Sequence, residues 1–291
     1  MRLFITLLTL LCIFNVADTD DNIPRLNRAV SENPDDFDAV RQLVEIFIEQ
    51  RNYASADSIL SEYLAKSAKQ DAYATYLQGR LLDLKEDVNR AIDKYLQAIE
   101  MDSTLWQACR DLAYLYDIFS EYETMNSMLQ KSIDFAPIPE SLYYDYGYSF
   151  DMMGRLDSAE YYYHRAIDFD SLDHQAYLNL GAIMGLSGNL DSAKFLLEKA
   201  VMINPGSPEA FYNLGEVSVS LGLFDNAAGY FQQALALDSG LFAAKKRLGD
   251  IFEIMGDSGM ARLYYEDFLN STPIIYMDDI NEVRLKLDNY K

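Results

Sequence analysis

Five glycines, Gly79, Gly147, Gly181, Gly215 and Gly249, stand on one lattice with a step of 34 residues, and Ala113 fills the slot they leave open. Glycine supplies only 14 of the 291 residues, so composition alone does not produce this register. A second column holds Ala91, Ala159, Ala193, Ala227 and Ala261, with Met125 in one slot and Ala56 one residue out of step. A third runs Ala98, Ala166, Ala200, Ala234, and a fourth Gly154, Gly188, Gly222, Gly256. A chain with this periodicity makes one supersecondary unit several times and buries a continuous core by stacking the copies.

The unit reads as two antiparallel helices. Apolar residues recur at helical spacing from Pro208 to Leu221, Gly222-Leu223-Phe224 marks a turn, and Asp225 opens a second helix running to about Leu237. Ser207-Pro208 suits entry to a first helix, because the hydroxyl caps free amides and the proline ring presets φ. Asp157, Asp191 and Asp225 occupy the matching point of three repeats, where their carboxylates are expected to cap the second helix. The small columns predict Gly or Ala on the first helix facing Ala on the second, where a bulky residue would wedge the layers apart. Pro137, Pro205 and Pro273 alternate with Ser103, Ser171 and Ser239 at the exit of the second helix.

Tyr177-x2-Leu180-Gly181-x2-Met184 with Ala193-x3-Leu197 and Pro205, and Phe211-x2-Leu214-Gly215 with Ala227-x3-Phe231, resemble the tetratricopeptide repeat. The likeness is strong from Glu140 to Pro273 and weaker earlier: residues 37–71 lack the glycine, and Met125 replaces Ala in the repeat from Trp106. It implies an all-α fold, an α-solenoid winding as a right-handed superhelix. About seven helix-turn-helix repeats are expected at 37–71, 72–105, 106–139, 140–173, 174–207, 208–241 and 242–275. Residues 18–36 read as an acidic leader and N-terminal half-repeat helix carrying Leu26, Ala29 and Val30. Residues 276–291 read as a C-terminal capping helix, with Ile280, Val283 and Leu287 at helical spacing and Arg284, Lys286 and Lys291 polar.

The first 17 residues differ in kind. Met1-Arg2 precedes an almost unbroken apolar run from Leu3 to Phe14, then Asn15-Val16-Ala17 and the acidic Asp18-Thr19-Asp20-Asp21. This is the layout of a secretory signal, and the run is shorter than the roughly 20 residues of a membrane-spanning helix. Three fates stay open: cleavage after Ala17, retention as an anchor, or lipidation at Cys12, which the bulky Leu11 and the apolar residues after Cys12 disfavour. The expected destination is the periplasm or cell envelope. Beyond this segment Cys109 is the one cysteine, which leaves no intrachain disulfide, and its apolar helix-spaced neighbours mark it as core.

Forty-six acidic residues against 24 basic ones give a net charge of -22, without the positive footprint that nucleic acid or an anionic lipid surface requires. The two histidines, His164 and His174, have no Cys or His neighbours at metal-ligand spacing. The glycines belong to helical columns rather than a phosphate loop, and carboxylates are too abundant to be diagnostic of acid-base chemistry. Asp18 to Asp21 lack the Gly and terminal Glu of a calcium loop, and Asn270-Ser271-Thr272 is a lone glycosylation pattern that matters only in a eukaryotic secretory host. No enzyme activity, cofactor or metal is expected.

The resemblance implies that the first helices line a concave groove that takes an extended or helical segment of a protein partner. Projection onto that face selects Arg41, Tyr73, Tyr76, Arg80, Arg110, Tyr114, Tyr144 and Tyr148, then Asn179, Tyr212 and Asn213. In peptide-binding members an Asn on the stripe shared by Asn179 and Asn213 grips the ligand backbone. The Lys and Asn pattern of chaperone-tail binders is absent. A plainer reading pairs Arg41 with Glu45 and Arg80 with Asp83 on their own helices. The implied function is a non-catalytic interaction scaffold of the cell envelope; the alternatives are a non-catalytic subunit or regulator of an envelope enzyme or secretion complex, or a self-associating array.

Overall fold

The computed structural model describes residues 19–67 and 71–288. The leader of residues 1–17 with Cys12, the side chains of Asp18 to Asp21, and Lys291 lie outside the described residues. Within them the chain has sixteen α-helices and no strand, in two compact units divided between Arg155 and Leu156.

The first unit holds α1 (Thr19–Glu32), α2 (Phe37–Glu49), α3 (Tyr53–Lys66), α4 (Ala72–Leu84), α5 (Val88–Met101), α6 (Trp106–Ile118), α7 (Tyr122–Phe135) and α8 (Tyr143–Met152). The second holds α9 (Leu156–Phe169), α10 (His174–Leu186), α11 (Leu190–Ile203), α12 (Pro208–Ser220), α13 (Phe224–Leu237), α14 (Phe242–Ile254), α15 (Ser258–Ser271) and α16 (Met277–Asp288). The closest packing is between consecutive partners: α2 with α3, α4 with α5 and α6 with α7 in the first unit, α10 with α11, α12 with α13 and α14 with α15 in the second. No described helix is long and apolar enough to cross a membrane.

A single left-handed residue turns the chain after each first helix. Arg51, Glu86 and Ser120 take this role early, at φ of 57°, 63° and 58°, and Gly154, Gly188, Gly222 and Gly256 take it later, at φ from 71° to 79°. The next amide then reaches back along the helix, as in Asp87 N to Leu82 O at 2.9 Å and Leu223 N to Ser218 O at 2.8 Å, which satisfies carbonyls the helix end would leave free. This turn also corrects the expected caps. It delivers the chain into the second helix early, so Asn189 and Leu223 hold the capping positions without a side-chain bond, while Asp191 and Asp225 sit inside the first turn. There their charge complements the positive end of the helix dipole. Ser207 does cap α12, accepting from Ala210 N at 3.2 Å, with Pro208 in the first turn.

The glycine column faces large side chains rather than alanines. A Cβ on Gly79 would lie 2.6 Å from the Tyr95 ring, one on Gly215 2.6 Å from Phe231, and one on Gly181 2.8 Å from Leu197. Each partner is a fully buried residue of the second helix, sixteen positions on. The glycine therefore makes room for a large side chain, instead of bringing two small faces together. The alanine column is also fully buried, and Ala91, Ala227 and Ala261 belong to the same clusters.

One first helix is short. Pro137 and Pro139 flank Ile138, a 3-10 turn covers Pro139–Leu142, and α8 keeps 10 residues where α6 has 13. At the N-terminal end Leu26 of α1 packs on Ala39 and Leu43 of α2. At the C-terminal end Ile280 and Val283 of α16 pack on Tyr265 and Phe268, while Arg284 and Asn281 face solvent. Cys109 is fully buried on α6, and burial pushes its thiol pKa up.

Candidate partner-binding faces

In the first unit the first helices are α2, α4, α6 and α8, and their polar side chains bond from one repeat to the next. The Tyr73 hydroxyl donates to Glu45 Oε1 at 3.2 Å, joining α4 to α2. Arg41 Nη1 donates to the same oxygen at 3.5 Å and its guanidinium lies 5.8 Å from the centre of the Tyr73 ring. The Tyr76 hydroxyl donates to Asp111 Oδ2 at 2.9 Å, joining α4 to α6. Arg110 grips the other oxygen of Asp111 through Nη2 at 2.7 Å and Nε at 2.8 Å, and covers Trp106. The Tyr114 hydroxyl donates to Asp145 Oδ2 at 2.7 Å, joining α6 to α8, and Tyr148 of α8 lies near Asp117 of α6.

These bonds sort the residues expected to line a groove. Tyr76 is a correction: it is 1% exposed, its ring stands between Tyr73 and Tyr95, and its hydroxyl is spent on Asp111, so it belongs to the core. Burial holds its phenol, and that of Tyr114, well above the usual range, with Asp111 and Asp145 adding to the effect. For Arg110 burial opposes the charge, but Asp111 and Tyr76 outweigh it and the pKa rises. Arg80 lies over the Tyr76 ring at 5.9 Å. Tyr73, Arg80, Arg110, Tyr114, Tyr144 and Tyr148 are all half-buried. Tyr148 meets Tyr122 edge-on at 6.5 Å; burial, then Asp117, pushes its phenol up to about 12.

In the second unit the first helices are α10, α12 and α14, with α16 following in the next first-helix position. Asn179 is turned inward, its Nδ2 donating to the buried Tyr163 hydroxyl at 3.1 Å, so that amide proton serves the fold. Asn213, one repeat on, is half-buried on α12 and makes no side-chain hydrogen bond among the described residues. Tyr212 packs edge-on against Phe231 at 5.3 Å; burial, then Glu216, pushes its phenol up to about 12.

Tyr212 also borders a cleft of about 570 Å³ whose other walls include Leu241, Phe242, Phe268 and Tyr276. Its polar rim is an ion network. Lys246 donates to Asp279 and Glu282 at 2.6 Å each, Arg247 takes Glu216 through two bonds at 2.6 and 2.9 Å, and Lys286 donates to Asp250 at 2.6 Å. Lys246, Arg247, Asp250, Asp279 and Glu282 were not among the residues selected from sequence, nor were the acceptors Glu45, Asp111 and Asp145. A usable signal existed: donors and acceptors stand 28 to 36 residues apart, about one repeat. Chemically, both faces offer ring surface and hydrogen-bonding groups already held in place.

Two stretches, residues 17–81 and 187–242, match profiles described as tetratricopeptide repeat. No curated protein sequence matches the chain. Among solved structures, MamA is 25% identical with a TM-score of 0.52, over 55% of this chain and 94% of that one. YrrB, described as a TPR protein with an unusual peptide-binding site, is 22% identical with a TM-score of 0.57, over 64% of this chain and 95% of that one. PilW, described as a type IV pilus biogenesis factor, is 18% identical with a TM-score of 0.61, over 74% and 99%.

Proposed function

Because this chain is a tetratricopeptide-repeat protein, we propose that it is a non-catalytic scaffold holding an extended or helical segment of a partner protein against its first-helix faces. The cleft bordered by Tyr212, Phe242 and Tyr276 carries the reading, since it pairs apolar walls with a fixed polar rim, the composition of a site that anchors a side chain and orients its backbone. Asn213 beside Tyr212 keeps its amide for a ligand backbone. A peptide-binding site in YrrB supports the mode by likeness of fold alone. The described residues are helices joined by short turns, which leaves no separate domain for catalysis among them. Work in the cell envelope is part of the proposal and rests on the basic start and apolar run of residues 1–17.

A photo-crosslinking residue placed at Asn213 or Tyr212 in the full chain, in intact cells, tests the reading. Discrete adducts with another protein are expected from these positions and not from Leu263 on a second helix. Equal adducts from all three, or only adducts with a second copy of the chain, would overturn it. Fractionation of the same cells tests the envelope assignment separately.

A further inference from the structure

The ends of three first helices in the first unit carry large apolar side chains that the groove does not use. Leu84, Ile118 and Met152 stand at the same point of successive repeats and are 40%, 51% and 43% exposed, and Phe119 beside Ile118 is 49% exposed. None caps a terminus, and the preceding repeat breaks the row with Glu49 and Gln50 at the end of α2. The first helices that bear them are joined side by side through Tyr76 to Asp111 and Tyr114 to Asp145, so the three points follow one another along one edge. Adjacent packed helices stand roughly 8–10 Å apart, so the row extends on the order of 20 Å. A helix of about 13 residues covers that length at roughly 1.5 Å per residue.

Charge on this edge is one-sided. Glu86 and Glu121 are exposed in the turns themselves, and Glu123 is exposed in the first turn of α7. Two nearby cations are already engaged, Lys85 with Asp57 at 2.7 Å and Arg90 with Asp87 at 3.1 Å, and Arg155 lies at the far end. An apolar row flanked by carboxylates complements a helix with an apolar stripe bordered by Lys or Arg, and repels the same stripe bordered by acids.

We propose that this turn edge of the first unit is a second docking surface, separate from the first-helix faces, and that it takes a basic amphipathic helix of a partner protein. The full chain is titrated against a fluorescein-labelled peptide of about 15 residues with Leu at i, i+3, i+4, i+7 and Lys or Arg elsewhere, and against a twin with Glu in place of the cations, by fluorescence anisotropy in about 150 mM salt. The basic peptide is expected to bind at least about tenfold more tightly than its twin. A chain with so large an acidic excess attracts any cation, so the deciding variant is Ile118→Ser with Phe119→Ser, which removes apolar surface and keeps every charge. It should weaken the basic peptide by about tenfold or more while circular dichroism stays unchanged. Glu86→Lys with Glu121→Lys should weaken it by a similar factor and leaves the apolar row intact, which covers the case of a misfolded first variant. Binding unchanged in a folded variant, or equal affinity for the acidic twin, would overturn the proposal. So would sedimentation showing a dimer that the serine variant dissolves, since the occupant would then be a second copy.

Discussion

A methyl group at Gly215 would arrive 2.6 Å from the ring of Phe231, which is fully buried and has nowhere to retreat. Gly215→Ala should therefore cost ~1–3 kcal/mol, read as a lower urea midpoint. Gly188→Ala tests a different cost, because nothing lies within 4 Å of its would-be Cβ and only its φ of +78° resists the change. About 1 kcal/mol is expected there. The reverse exchange should stabilise: Glu86→Gly and Ser120→Gly place glycine at φ of 63° and 58°, worth up to ~1 kcal/mol each. A midpoint that fell in either variant would contradict the turn account. The turn glycines announce their role in the sequence, since a column of Gly between two helical patterns marks the point where the backbone must turn left-handed. The identity of what Gly79 and Gly215 face is not announced, because a small residue makes room equally well for a backbone or for a ring.

At the scale of the helix, α16 is held by the buried Ile280 and Val283, with Leu287 packed against the same cluster, and by the ion network of Lys246 and Lys286. The hydrogen bond from Lys246 holds the Glu282 carboxyl below its usual range. A depressed acid contributes stability above its unfolded pKa, about 4.3, and loses it as pH falls through the folded value. Lys246 and Lys286 are raised despite burial, by their carboxylate partners. Their contribution is complete below the unfolded value of about 10.4 and is lost as pH rises through the folded one. Amide exchange in α16 should accordingly accelerate below about pH 4 and above about pH 10.5, before α12 and α13 respond. Simultaneous opening of all three would show that the network does not set the stability of α16. The apolar spacing of Ile280, Val283 and Leu287 made this helix legible. The ion network was not, since each bond crosses about one repeat, and a pattern read along the chain ranks neighbours by sequence distance. The same blindness placed Tyr76 in a groove: helical projection gives a direction, and only the acceptor Asp111, 35 residues away, gives the depth.

For the molecule as a whole, a charge of -22 makes the folded chain repel itself. Raising salt from roughly 10 to 150 mM shortens the Debye length to about 8 Å. The thermal midpoint should rise even though the surface pairs on α14 and α16 weaken. A falling midpoint would mean that those local pairs outweigh the collective term. The repeat architecture was readable because most copies rewrite the same small positions, whereas the division between Arg155 and Leu156 left no mark in those columns.

The burial of Cys109 gives the protein an internal clock. Its thiol is fully enclosed on α6, with a raised pKa, and is the single cysteine of the described residues. A thiol reagent can reach it only when that repeat opens, so in a Cys12→Ser chain the rate of labelling, followed against denaturant, reads the opening free energy of one repeat without any engineered probe. Labelled early, the array breathes repeat by repeat. Labelled only as the whole signal collapses, it opens all at once.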